Sequence, residues 1–305
     1  MRAVDRRHVE YFLAVADAGG FTRAADQLRI AQPTLSQAIA ALEREVGTAL
    51  FHRVGRTVRL TSAGDALIEP ARRVLRDFAV AEQSVAEVRG LAAGHLDIAA
   101  IPTLSHELSQ LVGAYREAHP AVAVRCPELD AGRSVEAAVR SGECEVGLTE
   151  LPTADPALSQ IELGQQPFHL ALPPGAVSPA TFPLSRFDEL EFIATPIGTS
   201  SRTRLEEALD HTKSGRRVIG VETGHREALI ALVLAGAGAA FLPQSMAAQA
   251  RELGATVVPT SPVIRRRYGL VHRVAPLSPA AQAFLRSAQD RQAATRRLAR
   301  ANLRE

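Results

Sequence analysis

Several features that would define other classes of protein are scarce or missing from this chain. Only two cysteines, Cys126 and Cys144, occur in 305 residues. That excludes a disulfide framework and fits a reducing compartment, with Cys126 and Cys144 read as buried apolar residues ahead of a redox pair. No apolar run is long enough to cross a bilayer. The opening "MRAVDRRHVEYF" lacks the apolar stretch and small-residue cleavage site of a secretory leader. A cytoplasmic protein with no membrane partner is therefore expected. Missing too are G-x-S-x-G, H-E-x-x-H and a Walker A loop, and the nine histidines show no metal-ligand spacing. "AGAGAAF" lacks the third glycine of a dinucleotide loop and follows a helical pattern, so it reads as a tight turn. No enzyme, cofactor or resident metal is expected. Lysine is almost absent, Lys213 being the single one.

What is present suits a soluble protein of two or more domains: 46% apolar and 22% charged residues. The net charge of +2 does not by itself suggest nucleic acid, but its distribution is uneven. Residues 1–61 hold nine Arg against six acids, and Arg53, Arg56 and Arg59 recur every third position in "RVGRTVR".

"DRRHVEYFLAVADAGG" predicts a helix, with Asp5 as its cap, Gly19-Gly20 as its stop, and Val9, Phe12, Leu13 and Ala16 as its apolar stripe. A second helix is expected from a Thr22 cap, burying Ala24, Ala25 and Leu28. Pro33 suits the first turn of a third, whose core stripe is Leu35, Ile39, Leu42 and Val46. The opposite face carries Gln37, Ala40, Ala41 and Arg44, flanked by Thr34 and Ser36. Short polar side chains and outward alanines fit a DNA major groove, where amides and hydroxyls read base edges and methyls meet thymine. Taken alone, the same face could be an ordinary solvated surface. "ALFHRVGRTVRLTSAG" then gives two alternating runs around Gly55, an Arg-bearing β-hairpin beside a reading helix, which is the arrangement of a winged helix-turn-helix. Arg53, Arg56 and Arg59 are placed to meet phosphates or the minor groove.

Residues 8–64 resemble the N-terminal domain of the LysR-type transcriptional regulators, through "YFLAVADAGGFTRAADQL", "AQPTLSQAIAALEREVG", "LFHR" and "RTVRLTSAG". The resemblance implies that Phe21–Ala40 is the helix-turn-helix and that Gln32–Arg44, with Gln32 and Pro33 at its front, reads double-stranded DNA. The family often has Ser or Thr where Ala31 stands, and Arg near positions where this chain has Gln37, Ala38 and Ala40. A helix cap is thus missing, and recognition leans less on guanine contacts. The resemblance also implies a homotetramer built as a dimer of dimers, a small-molecule effector, and RNA polymerase as a further partner to consider.

From Thr61 onward Leu67, Ala71, Val74, Phe78, Ala81, Val85 and Val88 are spaced four and three alternately, a coiled-coil period. They are read as a dimer seam, loosened early by Pro70, and two chains would present two reading helices to a pseudo-palindromic site. "GLAAG" reads as a hinge. Beyond it strand and helix patterns alternate, predicting a mostly parallel sheet with helices on both faces. This part resembles the family's effector-binding module, which is similar to type 2 periplasmic binding proteins. The fold expected is multidomain: an all-α winged helix-turn-helix (1–61), a linker and dimerisation helix (62–91), and an α/β periplasmic-binding-protein-like module of two subdomains (92–162 with 267–305, and 163–266).

Ligands of such modules bind at the carboxyl ends of strands, in the crevice between halves. "IPTLS" and "GTSSR" each place hydroxyls at a helix start, where free N–H groups favour anions. Thr103, Leu104, Ser105, Thr199, Ser200 and Ser201 are therefore candidate effector contacts, with Thr149, Thr223 and Gly224 on the opposite walls and an anionic, carboxylate-bearing effector expected. Each hydroxyl could equally be a helix cap. Two other readings stay open: a DNA-binding protein without a ligand, and an enzyme on the α/β module.

Overall fold

The computed structural model describes residues 5–54, 57–88, 94–129, 133–212 and 219–302. Arg56 lies outside the described residues, as do the side chains of Arg53 and Val88. Among the described residues no helix is long and apolar enough to cross a membrane.

The first unit is built on α1 (Arg6–Ala18), α2 (Phe21–Leu28), α3 (Gln32–Val46) and the hairpin β1 (Phe51–Val54) and β2 (Thr57–Leu60). Asp5 caps α1 by accepting from the Arg7 amide, and Gly19 ends it at φ 62°, a conformation cheap only for glycine. The stripe buries Val9, Phe12 and Leu13 as expected, Ala16 packs partly buried against the same core, and Val15 is buried as well. The cap of α2 is Gly20, so Thr22 lies inside the first turn rather than in front of it. The break at "RIAQP" is made by Arg29 at φ 55°, whose amide closes the end of α2. Ala31 precedes α3 without a side-chain cap, and Leu35, Ile39 and Leu42 are buried. Val46, expected in that stripe, is 38% exposed at the last turn.

One long helix, α4 (Ser62–Val88), follows. Thr61 caps it: its hydroxyl accepts from the Gly64 amide at 3.0 Å and donates to the Ala49 carbonyl at 2.7 Å. Its seven heptad positions divide. Ala71 is buried in the core of the first unit and Leu67 packs against that core, so these two are used within their own chain. Val74, Phe78 and Val85 remain exposed at 43%, 46% and 63%, and Ala81 is exposed. Leu67 and Ala71 thus drop out of the predicted seam, because the early turns face the core that Phe12 and Phe51 fill.

The remaining chain contains β3 (Gly94–Ala100), α5 (Ser105–Ala118), β4 (Val122–Arg125), α6 (Val135–Arg140), β5 (Val146–Leu151), β6 (Leu158–Leu172), β7 (Phe182–Pro183), β8 (Phe192–Ala194), α7 (Ser200–Leu209), β9 (Ile219–Glu222), α8 (Ala228–Leu234), β10 (Ala240–Pro243), α9 (Gln244–Glu252), β11 (Thr256–Ser261), β12 (Arg265–Arg273) and α10 (Pro279–Asn302). The main sheet runs β4-β3-β5-β12-β6-β11-β7, with β10 also on β6. It is mixed rather than mostly parallel. The β3 pairs are parallel, whereas β12 is antiparallel to both β5 and β6, and β10 and β11 are antiparallel to β6. The reason lies in β6 and β12. These two long strands pass between the halves side by side in opposite directions, which βα repetition alone does not reveal. One core gathers around Leu96, Tyr115, Leu148 and Phe284, another around Phe168, Phe187, Phe192 and Phe241. The anticipated boundaries at 162/163 and 266/267 fall within β6 and β12.

Candidate nucleic-acid interface and effector cleft

On α3 the face opposite Leu35, Ile39 and Leu42 exposes Gln32, Pro33, Thr34, Gln37, Ala40 and Arg44, with Ser36 and Ala41 half-buried beside them. Gln32 donates to the Ser36 hydroxyl at 3.0 Å, and Arg44 Nε donates to the Ala40 carbonyl at 3.1 Å. Gln37 is exposed, and its amide is free to meet a base edge. The surface carries one full charge, Arg44, and is otherwise short amides, hydroxyls and methyls. Such a surface can enter a major groove and discriminate by hydrogen bonds.

In the hairpin beside it His52 stands opposite Arg59, and both are exposed. Sequence reasoning missed His52, although strand alternation puts it on the face of Arg59. It also missed Glu43. Its Oε1 accepts from the Leu50 amide at 2.8 Å and the Phe51 amide at 3.3 Å. That carboxylate, reaching from the last turns of α3, fixes where the hairpin starts relative to α3.

The second candidate site lies between the halves of the α/β module. Its centre is a residue that sequence reasoning missed. Arg266 on β12 is 1% exposed, while Arg265 and Arg267 on either side are exposed. Alternation in "RRRYGLV" turns only the middle arginine inward. Arg266 Nη1 donates to the Thr103 hydroxyl and to the Ser200 hydroxyl at 3.2 Å. Nη2 donates to the Thr103 carbonyl at 2.7 Å and to Gln166 Oε1. The guanidinium lies 5.3 Å over the Phe168 ring. Its Nε has no acceptor among the described residues. Burial lowers its pKa to about 10; the charges of Glu150 and Glu107 oppose the fall, and those of Arg226 and Arg204 add to it. Thr103 and Ser200, from the two helix starts singled out in the sequence, are thus brought together on one buried cation. Ser200 in turn donates to Glu150 at 2.8 Å, and Gln166 donates to Glu107 and, at 3.4 Å, to Ser245.

The other candidates are placed as follows. Ser105 is exposed beside the cleft, and its hydroxyl donates to the Pro102 carbonyl. Leu104 is fully buried among Leu96, Ile98 and Tyr115, so it belongs to the core and is withdrawn from the site. Thr149 is also a correction: it is 3% exposed and donates to Glu136 on α6 at 2.9 Å, and the alternation of β5 presents Glu150 to the cleft instead. Thr199 caps α7, accepting from the Arg202 amide at 3.3 Å, and its hydroxyl lies 2.6 Å from that of Thr195. Ser201 is buried beside Leu205 and Phe241. The Thr223 hydroxyl accepts from the His225 amide at 3.1 Å, and Gly224 is exposed. A space of about 870 Å³ opens between Thr103, Ser105 and His106 on one side and Arg226, Ser245 and Met246 on the other. Sequence reasoning missed Arg226 as well.

Cys144 is buried as expected, and burial pushes its thiol up to about 12. Cys126, expected to be buried, is instead exposed, and partial desolvation with the Asp97 charge raises its thiol above the ordinary value.

Residues 6–65 match the family model described as "Bacterial regulatory helix-turn-helix protein, lysR family", and residues 89–293 match "LysR substrate binding domain". Among curated proteins, the HTH-type transcriptional regulator CbbR of Sinorhizobium medicae is 30% identical over 291 residues, covering 93% of this chain and 92% of that one. The RuBisCO operon transcriptional regulator of Allochromatium vinosum is 26% identical, with 92% and 94% covered. Among solved structures, a full-length OxyR variant from Pseudomonas aeruginosa superposes with a TM-score of 0.73 at 22% identity, covering 94% and 98% of the two chains. Full-length CbnR complexed with its target DNA gives 0.66 at 24% identity, covering 94% and 99%. The helical unit with its hairpin and the α/β module with its cleft thus fall within a two-part match that takes in most of the chain, and the chain belongs to the LysR family of DNA-binding transcriptional regulators.

Proposed function

We propose that this regulator reads a pseudo-palindromic DNA site as a dimer, assembled further into a dimer of dimers, and that an anionic small molecule in the cleft at Arg266 alters how the half-sites are held. Gln32, Thr34, Ser36, Gln37, Ala40, Ala41 and Arg44 face base edges, and the wing arginines Arg53, Arg56 and Arg59 meet the backbone. No covalent chemistry is involved; the mechanism is linkage between two binding sites.

The observation that carries this reading is the double engagement of α4. Its early turns belong to the core of the DNA-binding unit through Ala71. The same stretch is bonded to the α/β module. Arg72 donates to Asp17 of α1 at 2.6 Å and to Glu143 at 3.2 Å, bridging the two units. Arg76 donates to Asp97 at 2.9 Å, to the Gly142 carbonyl at 2.9 Å and to the Glu143 carbonyl at 2.6 Å. A rearrangement of the module is therefore passed to the reading helix by one rigid element. Val74, Phe78 and Val85 stay exposed along it for a second chain. The cleft suits an anion because its buried cation is met only by neutral acceptors among the described residues.

The test is to select genomic fragments bound by the purified chain and map the contacts by hydroxyl-radical footprinting. Two protected half-sites on one face of the duplex, roughly one helical turn or a multiple of it apart, are expected. A single protected patch would overturn the dimeric reading.

A further inference from the structure

We propose that the effector carries two separated anionic groups, one held at Arg266 with Thr103 and Ser200, the other held by Arg226 across the cleft. The proposal rests on the anion reading above and deepens it.

One guanidinium, Arg226, lines this space, a second, Arg266, lies behind its wall bonded to Thr103, and among the described residues neither has an acidic partner in contact. Arg266 reaches it through Thr103, and is bonded to the Thr103 hydroxyl and carbonyl, the Gln166 amide oxygen and the Ser200 hydroxyl, all neutral. Of the nearby carboxylates, Glu150 is bonded to Ser200 and Arg204, and Glu107 accepts from Gln166 through Oε1 while its Oε2 is buried without a partner; neither touches the Arg266 guanidinium, although both charges raise its pKa. Arg266 Nε is buried and has no acceptor. Arg226 stands just before α8 on the far wall, beside Ile230, Ser245 and Met246. Its Nε and Nη1 are likewise buried without an acceptor. Glu227 adjoins it in sequence, lines the same space with Glu252, and its charge raises the Arg226 pKa, but that carboxylate is 81% exposed and lies 3.6 Å from His225. Burial lowers the pKa of each arginine to about 10, and the charge of Arg226 adds to the fall at Arg266. A buried N–H with no acceptor costs free energy until a ligand supplies one.

A compact monoanion would satisfy one guanidinium and leave the other as it stands. A ligand with acidic groups at both ends satisfies both, and in doing so links Thr103 of the first subdomain to Arg226 of the second. The space of about 870 Å³ lies within the range for small-molecule sites. Guanidinium favours planar, bidentate carboxylate or phosphoryl groups. The two sources share this chemistry and are separated by the choice of ligands.

The experiment is calorimetric titration of the full-length chain with succinate, glutarate and adipate, with butyrate and hexanoate as monoacids, with 3-phosphonopropionate, and with inorganic phosphate. At least one two-ended acid is expected to bind about tenfold or more tightly than the monoacids. Preference for 3-phosphonopropionate over succinate assigns the second group as phosphoryl, and the reverse assigns it as carboxylate. Arg226→Gln is expected to remove the advantage of the two-ended acid while leaving monoacid affinity within about twofold. Equal binding of mono- and diacids by the unaltered chain, tighter binding of inorganic phosphate than of any two-ended acid, or equal weakening of both classes by Arg226→Gln, would overturn the second anchor and leave the Arg266 site standing. If none of these acids binds at millimolar concentration, the anion reading fails and the two-ended ligand with it.

Discussion

Gly64, in the first turn of α4, offers a sharp test of how the DNA-binding unit is joined to its linker helix. A Cβ placed there would stand 2.2 Å from the Leu50 carbonyl oxygen and 2.8 Å from Leu60 Cδ2. Ordinary contact needs well over 3 Å, and the nearer obstacle is backbone, so in Gly64→Ala the helix must lift by roughly 1 Å. Two hydrogen bonds span that junction: Gly64 N–H to the Thr61 hydroxyl at 3.0 Å, and Thr61 N–H to the same Leu50 carbonyl at 2.9 Å. Overpacking of this kind costs about 1–3 kcal/mol, and each strained hydrogen bond adds about 1 kcal/mol. Alanine's better helix propensity returns about 1 kcal/mol. A net loss of about 2–4 kcal/mol is expected from a unit whose whole stability is on the order of 3–9 kcal/mol. The assay is thermal unfolding followed by helical circular dichroism, alongside DNA affinity. The transition of the DNA-binding unit should fall by roughly 8–32 °C at about 4–8 °C per kcal/mol. A variant that melts with the unaltered protein would refute the close approach of α4 to Leu50.

Gly113→Ala, inside α5 where a Cβ meets nothing within 4 Å, should instead stabilise the module by about 0.5–1 kcal/mol, read as a higher midpoint in denaturant. Asp97 should make the docking of α4 acid-sensitive. Burial alone would raise its pKa, but the bonds and charges of Arg125 and Arg76 outweigh that and hold it below its ordinary 3.8. The folded protein therefore keeps Asp97 charged to lower pH than the unfolded chain does. Its contribution is complete above the ordinary value and is lost as pH falls through the lower folded one. The stability difference between the parent and Asp97→Asn should be constant from about pH 8 to 5 and shrink below about pH 4; a difference that grows on acidification would contradict the pairing.

Much of the DNA-binding unit is legible in the sequence because its signals are local. The Asp5 cap, the Gly19 stop and the spacing of Leu35, Ile39 and Leu42 all lie within one or two helical turns. The misreadings have a common physical root. A 3.5-residue period tells which side of α4 is apolar, but not that Ala71 meets its own domain while Phe78 faces outward. A strand's period of two tells that neighbours differ, but not which one faces the cleft, so the pattern suggests Thr149 where Glu150 points inward. Arg266 escapes notice because a charged residue within "RRR" reads as surface. Its burial is set by Thr103, Gln166 and Ser200, distant in the chain. Arg226 is hidden for the same reason.

The most direct test of DNA reading compares Gln37→Ala with Arg59→Ala on a selected operator and on random duplex over a range of salt. Arg59→Ala should weaken both kinds of DNA alike and lower the salt slope by about one, whereas Gln37→Ala should weaken the operator alone by about 1–3 kcal/mol and leave the slope unchanged. Operator binding indifferent to both changes would show that neither α3 nor the wing touches DNA.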